Sequence, residues 1–179
     1  ATERSVTVRW RTNTSTDSRV RFGTIVNHLT SWAGDTTNTT EHIVTLSGLS
    51  PATRYYYSVG NSSATLLSDT GCYFRTHPPL GSVEPIHIWA TGDMGTGAAE
   101  QMKVRDAYAD YCRSNGIHTN LWIWLGDNAY QSGLDNEFQD NVFSIYQEQF
   151  RKWVCWPATG NHDLISSDAV AQTGAYFDN

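Results

Sequence analysis

"TNLWIWLGDNAY", residues 119–130, holds five apolar residues in succession, Leu121 to Leu125, then stops on Gly126 and presents Asp127 and Tyr130. An unbroken apolar run of this length suits a strand covered on both faces by helices, and glycine followed by polar residues suits the turn at its carboxyl end. The flanking segments repeat the arrangement. "IHIWATGDMG" (86–95) reads as a strand ending in Gly92 and Asp93, with His87 a core or edge residue, and "KWVCWPATGNHD" (152–163) reads as a strand ending in Gly160, Asn161, His162 and Asp163. Between them, "AAEQMKVRDAYADYCRSNG" (98–116) places Val104, Tyr108, Tyr111 and Cys112 on one helical face with Gly116 as its stop, and "DNEFQDNVFSIYQEQF" (135–150) reads as a second helix. Strands alternating with helices argue for parallel βαβ units, whose functional groups collect beyond the carboxyl ends of the strands. One Gly-Asp pair is ordinarily only a turn. Three such strand ends place Asp93, Asp127, Tyr130, Asn161, His162 and Asp163 along one edge of one sheet.

The first half has a different rhythm. In "SVTVRWRT" (5–12) Val6, Val8 and Trp10 alternate with Thr7, Arg9 and Arg11, the period-2 signature of a strand with one buried face. "SRVRFGT", "EHIVTLSGL", "TRYYYSVG" and "GCYFRT" continue the series, with turn residues between them. Five short strands predict a small antiparallel sandwich. "THPPLGSVEP" (76–85) carries three prolines in ten residues, the chemistry of a connector, and places a boundary near Leu80.

Composition excludes some classes. A net charge of −6 spread along 179 residues argues against a general nucleic-acid binder, so any phosphate must meet a local positive centre. No stretch approaches the roughly 18 apolar residues of a membrane span. The three cysteines, Cys72, Cys112 and Cys155, form no C-x-x-C pair and cannot all pair within the chain; a Cys112–Cys155 bridge stays open at this level. Asn13, Asn38 and Asn61 begin glycosylation sequons in a Ser/Thr-rich region that produces such triplets by chance. Trp122, Trp124, Trp153 and Trp156 read as core or domain-packing residues rather than stacking platforms, and "GDMGTG" lacks the spacing of a nucleotide-binding turn.

The strand-end groups are hard oxygen donors: two carboxylates, a phenol and an amide oxygen. They suit hard cations, and a shared carboxylate suits a two-metal site acting on phosphate esters. As a set, "GDMG", "GDNAY" and "GNHD" resemble the motifs of the calcineurin-like metallophosphoesterases, and the tyrosine three residues after the second aspartate is similar to the purple acid phosphatases. "LSPATRYYYSVG" (49–60), with Leu49, Pro51 and Tyr55, likewise resembles the tyrosine corner of fibronectin type III domains, and Trp10 their core tryptophan. The resemblance implies two domains. An all-β fibronectin III-like sandwich (1–79), its first strand missing, precedes the first part of an α/β metallophosphoesterase sandwich (80–179), truncated. It implies an acid phosphatase hydrolysing phosphate monoesters, in which Asp93 and Tyr130 hold Fe(3+), Asp127 bridges, Asn161 binds a divalent ion (Zn, Fe or Mn), and His162 serves the phosphate or leaving group. The implied nucleophile is a metal-activated hydroxide, the partner a small phosphomonoester with no nucleic acid or membrane, and the location secreted or extracytoplasmic. Asp163 stands where the family accepts either acid and receives a supporting role.

The family completes its site with later histidines, and His162 is the last histidine here. The expectation is therefore a fragment, binding metal weakly and without turnover. Two alternatives stay open: a calcineurin-like phosphodiesterase or nucleotidase with two divalent metals, against which Tyr130 argues, and a non-catalytic fibronectin-like adhesion module.

Overall fold

Val6, Val8 and Val20 point inward from a single strand. In the structure, a computed structural model that describes residues 1–178, the first two expected strands merge into β1 (Val6–Gly23). It runs antiparallel to β2 (Ser31–Leu46), with pairing irregularities between Arg11 and Ser18. The second half of β1 pairs also with β3 (Arg54–Gly60), which pairs in turn with β4 (Thr65–Leu67) and β5 (Tyr73–Arg75). The expected separate strands thus become one five-stranded antiparallel sheet ordered β2-β1-β3-β4, with β5 on β3. Val6 and Val8 from one end of β1 share a single core with Val20 from the other and with Tyr55, Tyr57 and Val59 of β3, so the sheet folds over its own apolar face. Tyr55 occupies the corner as expected: its hydroxyl accepts the Ser50 N–H at 3.0 Å. Trp10 lies at the edge of the core, stacked at 4.6 Å on His42, which is buried between the hydroxyls of Ser18 and Thr12, each 2.8 Å from a ring nitrogen.

The chain divides into two compact units between Glu84 and Pro85. The second is built on β6 (Ile88–Thr91), β7 (Leu121–Trp124) and β8 (Val154–Pro157), parallel throughout and in that order. Helix α1 (Ala99–Asn115) connects β6 to β7 and ends on Gly116 in the left-handed region (φ 62°). Its inward residues are Gln101, Arg105, Tyr108 and Cys112; Val104 and Tyr111, expected on that face, are exposed. The inward polar groups are satisfied by carbonyls: Gln101 Nε2 donates to Asn141 at 2.6 Å and Arg105 to Ile145 at 2.6 Å. The second expected helix is broken into α2 (Asp135–Phe138), a π turn (Gln139–Phe143) and α3 (Gln147–Phe150).

Trp89, Trp122, Trp124 and Trp153 form an aromatic core with Phe138, Val142 and Tyr146 on one face of this sheet. The opposite face carries Ile88, Ala90, Leu121, Ile123, Val154 and Trp156. It is open, with Ile88 52% and Trp156 54% exposed, contrary to the expected cover on both faces, so Trp156 is not one of the core tryptophans. His87 is exposed and precedes β6 rather than lying in it. Cys72, Cys112 and Cys155 are all free thiols, which closes the question of a Cys112–Cys155 bridge. Among the described residues no helix is long and apolar enough to cross a membrane.

Candidate metal centre

The parallel register brings the three strand ends level. Beyond the sheet the ladder continues through Leu125 N–H to Thr91 O (2.8 Å), Ala158 N–H to Trp124 O (2.9 Å) and Asp93 N–H to Gly126 O (3.2 Å). Asp93 and Asp127 then both turn through the left-handed region (φ 54° and 52°), which redirects their side chains at the sheet edge. The loops press together so closely that a Cβ on Gly160 would lie 2.0 Å from Asp127 N, and one on Gly95 would lie 1.8 Å from Asn128 O. Only glycine fits at either place.

Three oxygen-bearing side chains converge there. The Tyr130 hydroxyl donates to Asp93 Oδ1 at 2.6 Å and reaches Asp127 Oδ2 at 3.2 Å. Desolvation, the bond to Asp93 and the two carboxylate charges all push its pKa up from the ordinary value, so without a cation it stays a phenol. His162 joins through its ring, 4.5 Å from that of Tyr130, and through its backbone N–H, which donates to Asp127 Oδ1 at 3.0 Å. Its Nδ1 lies 2.6 Å from the Gln131 carbonyl, which can only accept, so Nδ1 carries the proton and Nε2 is the nitrogen left for chemistry. Asn161 is exposed between Gly160 and His162 and makes no hydrogen bond to Asp93, Asp127 or Tyr130. Asp163 is fully buried behind the loops.

Several supporting residues carried no sequence signal. Glu137 accepts the backbone N–H groups of Gln131 (2.6 Å), Ser132 (2.9 Å) and Leu134 (2.9 Å), and so shapes the loop that holds His162. Asn141 donates to the Tyr130 carbonyl at 3.2 Å, and Gln101 accepts from Gly97 N–H at 2.8 Å. Each is a polar residue on a helical turn, indistinguishable in sequence from a solvent-facing one.

Among the described residues no three His, Cys, Asp or Glu side chains cluster to hold an ion. The donor set is instead two carboxylates sharing one phenol, with an amide side chain on the adjoining loop. All are hard oxygen donors, which fits a trivalent or small divalent cation.

Residues 1–76 match the family model described as purple acid phosphatase, N-terminal domain. That match covers the N-terminal unit, which is similar to the N-terminal domain of the purple acid phosphatases. Among solved structures the chain is similar to purple acid phosphatase PPD1 from yellow lupin (Lupinus luteus) seeds, with a TM-score of 0.71 at 17% identity over 93% of this chain and 34% of that one. It is also similar in fold to PhoD, with a TM-score of 0.61 at 12% identity over 99% of this chain and 41% of that one. The chain therefore spans between a third and about two-fifths of the length of these structures. No curated protein matches it. The family match is confined to residues 1–76, and the likeness to these solved structures is one of fold.

Proposed function

We propose that the chain supplies the first part of a phosphate monoester hydrolase site, in which Asp93 and Tyr130 hold a ferric ion, Asp127 bridges to a divalent ion (Zn, Fe or Mn), and Asn161 contributes its amide oxygen to the second metal. The observation that carries this reading is the Tyr130 hydroxyl seated between Asp93 and Asp127, at 2.6 and 3.2 Å. Two carboxylates at one sheet edge repel a phosphoryl dianion, so phosphate chemistry there requires the cations that these oxygens are suited to bind. When bound, the metal pair supplies Lewis acidity and an activated water for attack on phosphorus.

The chain's own residues do the rest. Tyr130 would hold a bound cation through its oxygen, its hydroxyl proton, now shared with Asp93 and Asp127, passing to solvent. Asp93 and Asp127 are held by left-handed turns that fix their direction before any ligand arrives. His162, anchored through Nδ1 to the Gln131 carbonyl, keeps Nε2 for the substrate. In its cationic form Nε2–H can protonate a leaving alkoxide or donate to a phosphoryl oxygen.

The test is absorption of the ferric-loaded chain. A phenolate bound to ferric iron gives a visible charge-transfer band, which Tyr130→Phe abolishes while keeping the ring; Asp127→Asn lowers iron retention itself. A band unchanged in Tyr130→Phe, or a colourless iron-loaded chain, overturns the ferric reading in favour of two divalent ions.

A further inference from the structure

Asp163 has no place in the site as proposed, yet it is among the most completely satisfied carboxylates that a buried position can offer. It is 0% exposed and collects four donors. Oδ1 accepts the backbone N–H groups of Asn128 (3.0 Å) and Ala129 (3.2 Å), while Oδ2 accepts the Asn128 side-chain amide (2.8 Å), the Gly160 N–H (2.8 Å) and, at 3.2 Å, a share of the Asn128 N–H. Nothing remains on either oxygen for an ion or a substrate.

The donors are informative by their positions. Asn128 and Ala129 directly follow Asp127, on the turn that aims its carboxylate and leads to Tyr130; Gly160 directly precedes Asn161 and His162. One carboxylate therefore ties together the two loops that carry Asp127 and Tyr130 on one side and Asn161 and His162 on the other. The bond from His162 N–H to Asp127 Oδ1 is the outer closure of the same clasp. Chain packing reinforces it: a Cβ on Gly133 would lie 2.6 Å from the Asp163 Cα, so the loop after Tyr130 also rests on this residue. Asn128, itself 0% exposed, spends its other amide hydrogen on the Ala158 carbonyl at 2.8 Å, extending the clasp to the end of β8.

We propose that Asp163 is a positioning residue that sets the separation between the Asp127 and Asn161 loops, and through it the geometry of the metal pair. This rests on the metal-site reading above. The carboxylate is specifically required because all four groups facing it are N–H donors. An amide of the same shape turns its own NH2 toward at least one of them and loses that bond to repulsion. Partners behind metal ligands typically govern affinity by about 10–100-fold when removed.

The experiment uses the full chain and terbium(III), a hard trivalent probe whose emission is sensitised by a nearby phenol or indole. Emission that depends on Tyr130, shown by its loss in Tyr130→Phe, identifies binding at this site. Asp163→Asn is expected to weaken terbium binding by about 10–100-fold and to move the amide proton resonances of Asn128, Ala129 and Gly160 upfield. Asp163→Glu, which keeps the charge, restores part of the affinity. Val142→Ala, a core truncation in the same unit, lowers thermal stability but leaves terbium affinity unchanged, which separates positioning from general loosening. An Asp163→Asn chain with wild-type affinity, or affinity lost equally in Val142→Ala, overturns the proposal. Wild-type emission indifferent to Tyr130→Phe overturns the metal reading and the positioning role with it, and unmoved amide resonances in Asp163→Asn refute the clasp itself whatever the metal result.

Discussion

Tyr55→Phe isolates one atom of the N-terminal unit. The ring is packed on Phe74 (centroids 5.6 Å apart, planes at 18°) and edge-on to Phe22 at 6.2 Å, and phenylalanine keeps both contacts. What disappears is the oxygen that accepts the Ser50 N–H at 3.0 Å. A hydrogen bond of this kind is worth about 0.5–1.5 kcal/mol net, and the upper end requires the abandoned donor to stay dry. Ser50 is exposed, so its N–H regains water and the loss falls in the lower half of that range. In a unit of this size, 1 kcal/mol corresponds to roughly 4–8 °C in Tm, which puts the expected shift at a few degrees. Tyr55→Ala removes the ring as well and should cost roughly 3–5 kcal/mol, as truncation of buried aromatics does. Thermal unfolding of the full chain, with hydrogen exchange of the β3 amides to localise the effect, reads both variants. The reasoning fails if Tyr55→Phe matches the wild type in Tm and exchange, because the corner bond then contributes nothing. It fails equally if Tyr55→Phe is as damaging as Tyr55→Ala.

Burial holds the pKa of His42 below its ordinary 6.5, against the opposing charges of Glu41 and Asp17. On acidification the unfolded chain takes up this proton first, so the contribution of neutral His42 to stability is complete above about pH 6.5 and is lost as pH falls through the folded-state value; His42→Gln should flatten the dependence of Tm on pH over that window. Gly160→Ala places a Cβ 2.0 Å from Asp127 N and 2.1 Å from Asp127 Oδ1, a contact that no rotamer relieves. It should abolish iron and terbium binding while β3 amide protection stays at the wild-type level, and retained binding would show that the loops are not packed as described.

Elements whose apolar spacing is set by packing were legible in the sequence, and those whose form is set by hydrogen bonds were not. Val6 and Val8 alternate with polar residues because one face of their strand is buried, and their positions followed from that alone. That β1 continues from Arg11 through Ser18 did not follow, because this stretch is polar and its pairing irregular. In the segment 135–150, Phe138, Val142, Tyr146 and Gln149 are buried at helical spacing, so the inward face was readable although the backbone breaks into a π turn with Ser144 N–H bonded to Gln139 O. Helix α1 reverses the error: Gln101 and Arg105 turn inward because backbone carbonyls of 141 and 145 await them, and a hydropathy pattern assigns such residues to solvent.

The same division runs through the site. Asp93, Asp127 and Tyr130 were readable because glycine turns at parallel strand ends leave polar side chains one place to go, and the structure brings those three into contact. Asp163 was grouped with the other strand-end residues and given a supporting role, with nothing in the sequence to show that it is buried behind them. Its burial is decided by four N–H groups, three of them from Asn128 and Ala129, which are distant in sequence, and one from nearby Gly160, so chain pattern does not reveal it. It follows that substitutions at Asp127 and at Asp163 should differ in kind. The first removes an oxygen from the cation and should change the identity of the bound ion. The second leaves every ligand oxygen in place and should change only how well two loops agree on where the ion sits, so competition among cations of different radius is the measurement that tells them apart: Asp163→Asn should blunt discrimination by size, and a variant that kept wild-type discrimination would show that the loops need no clasp.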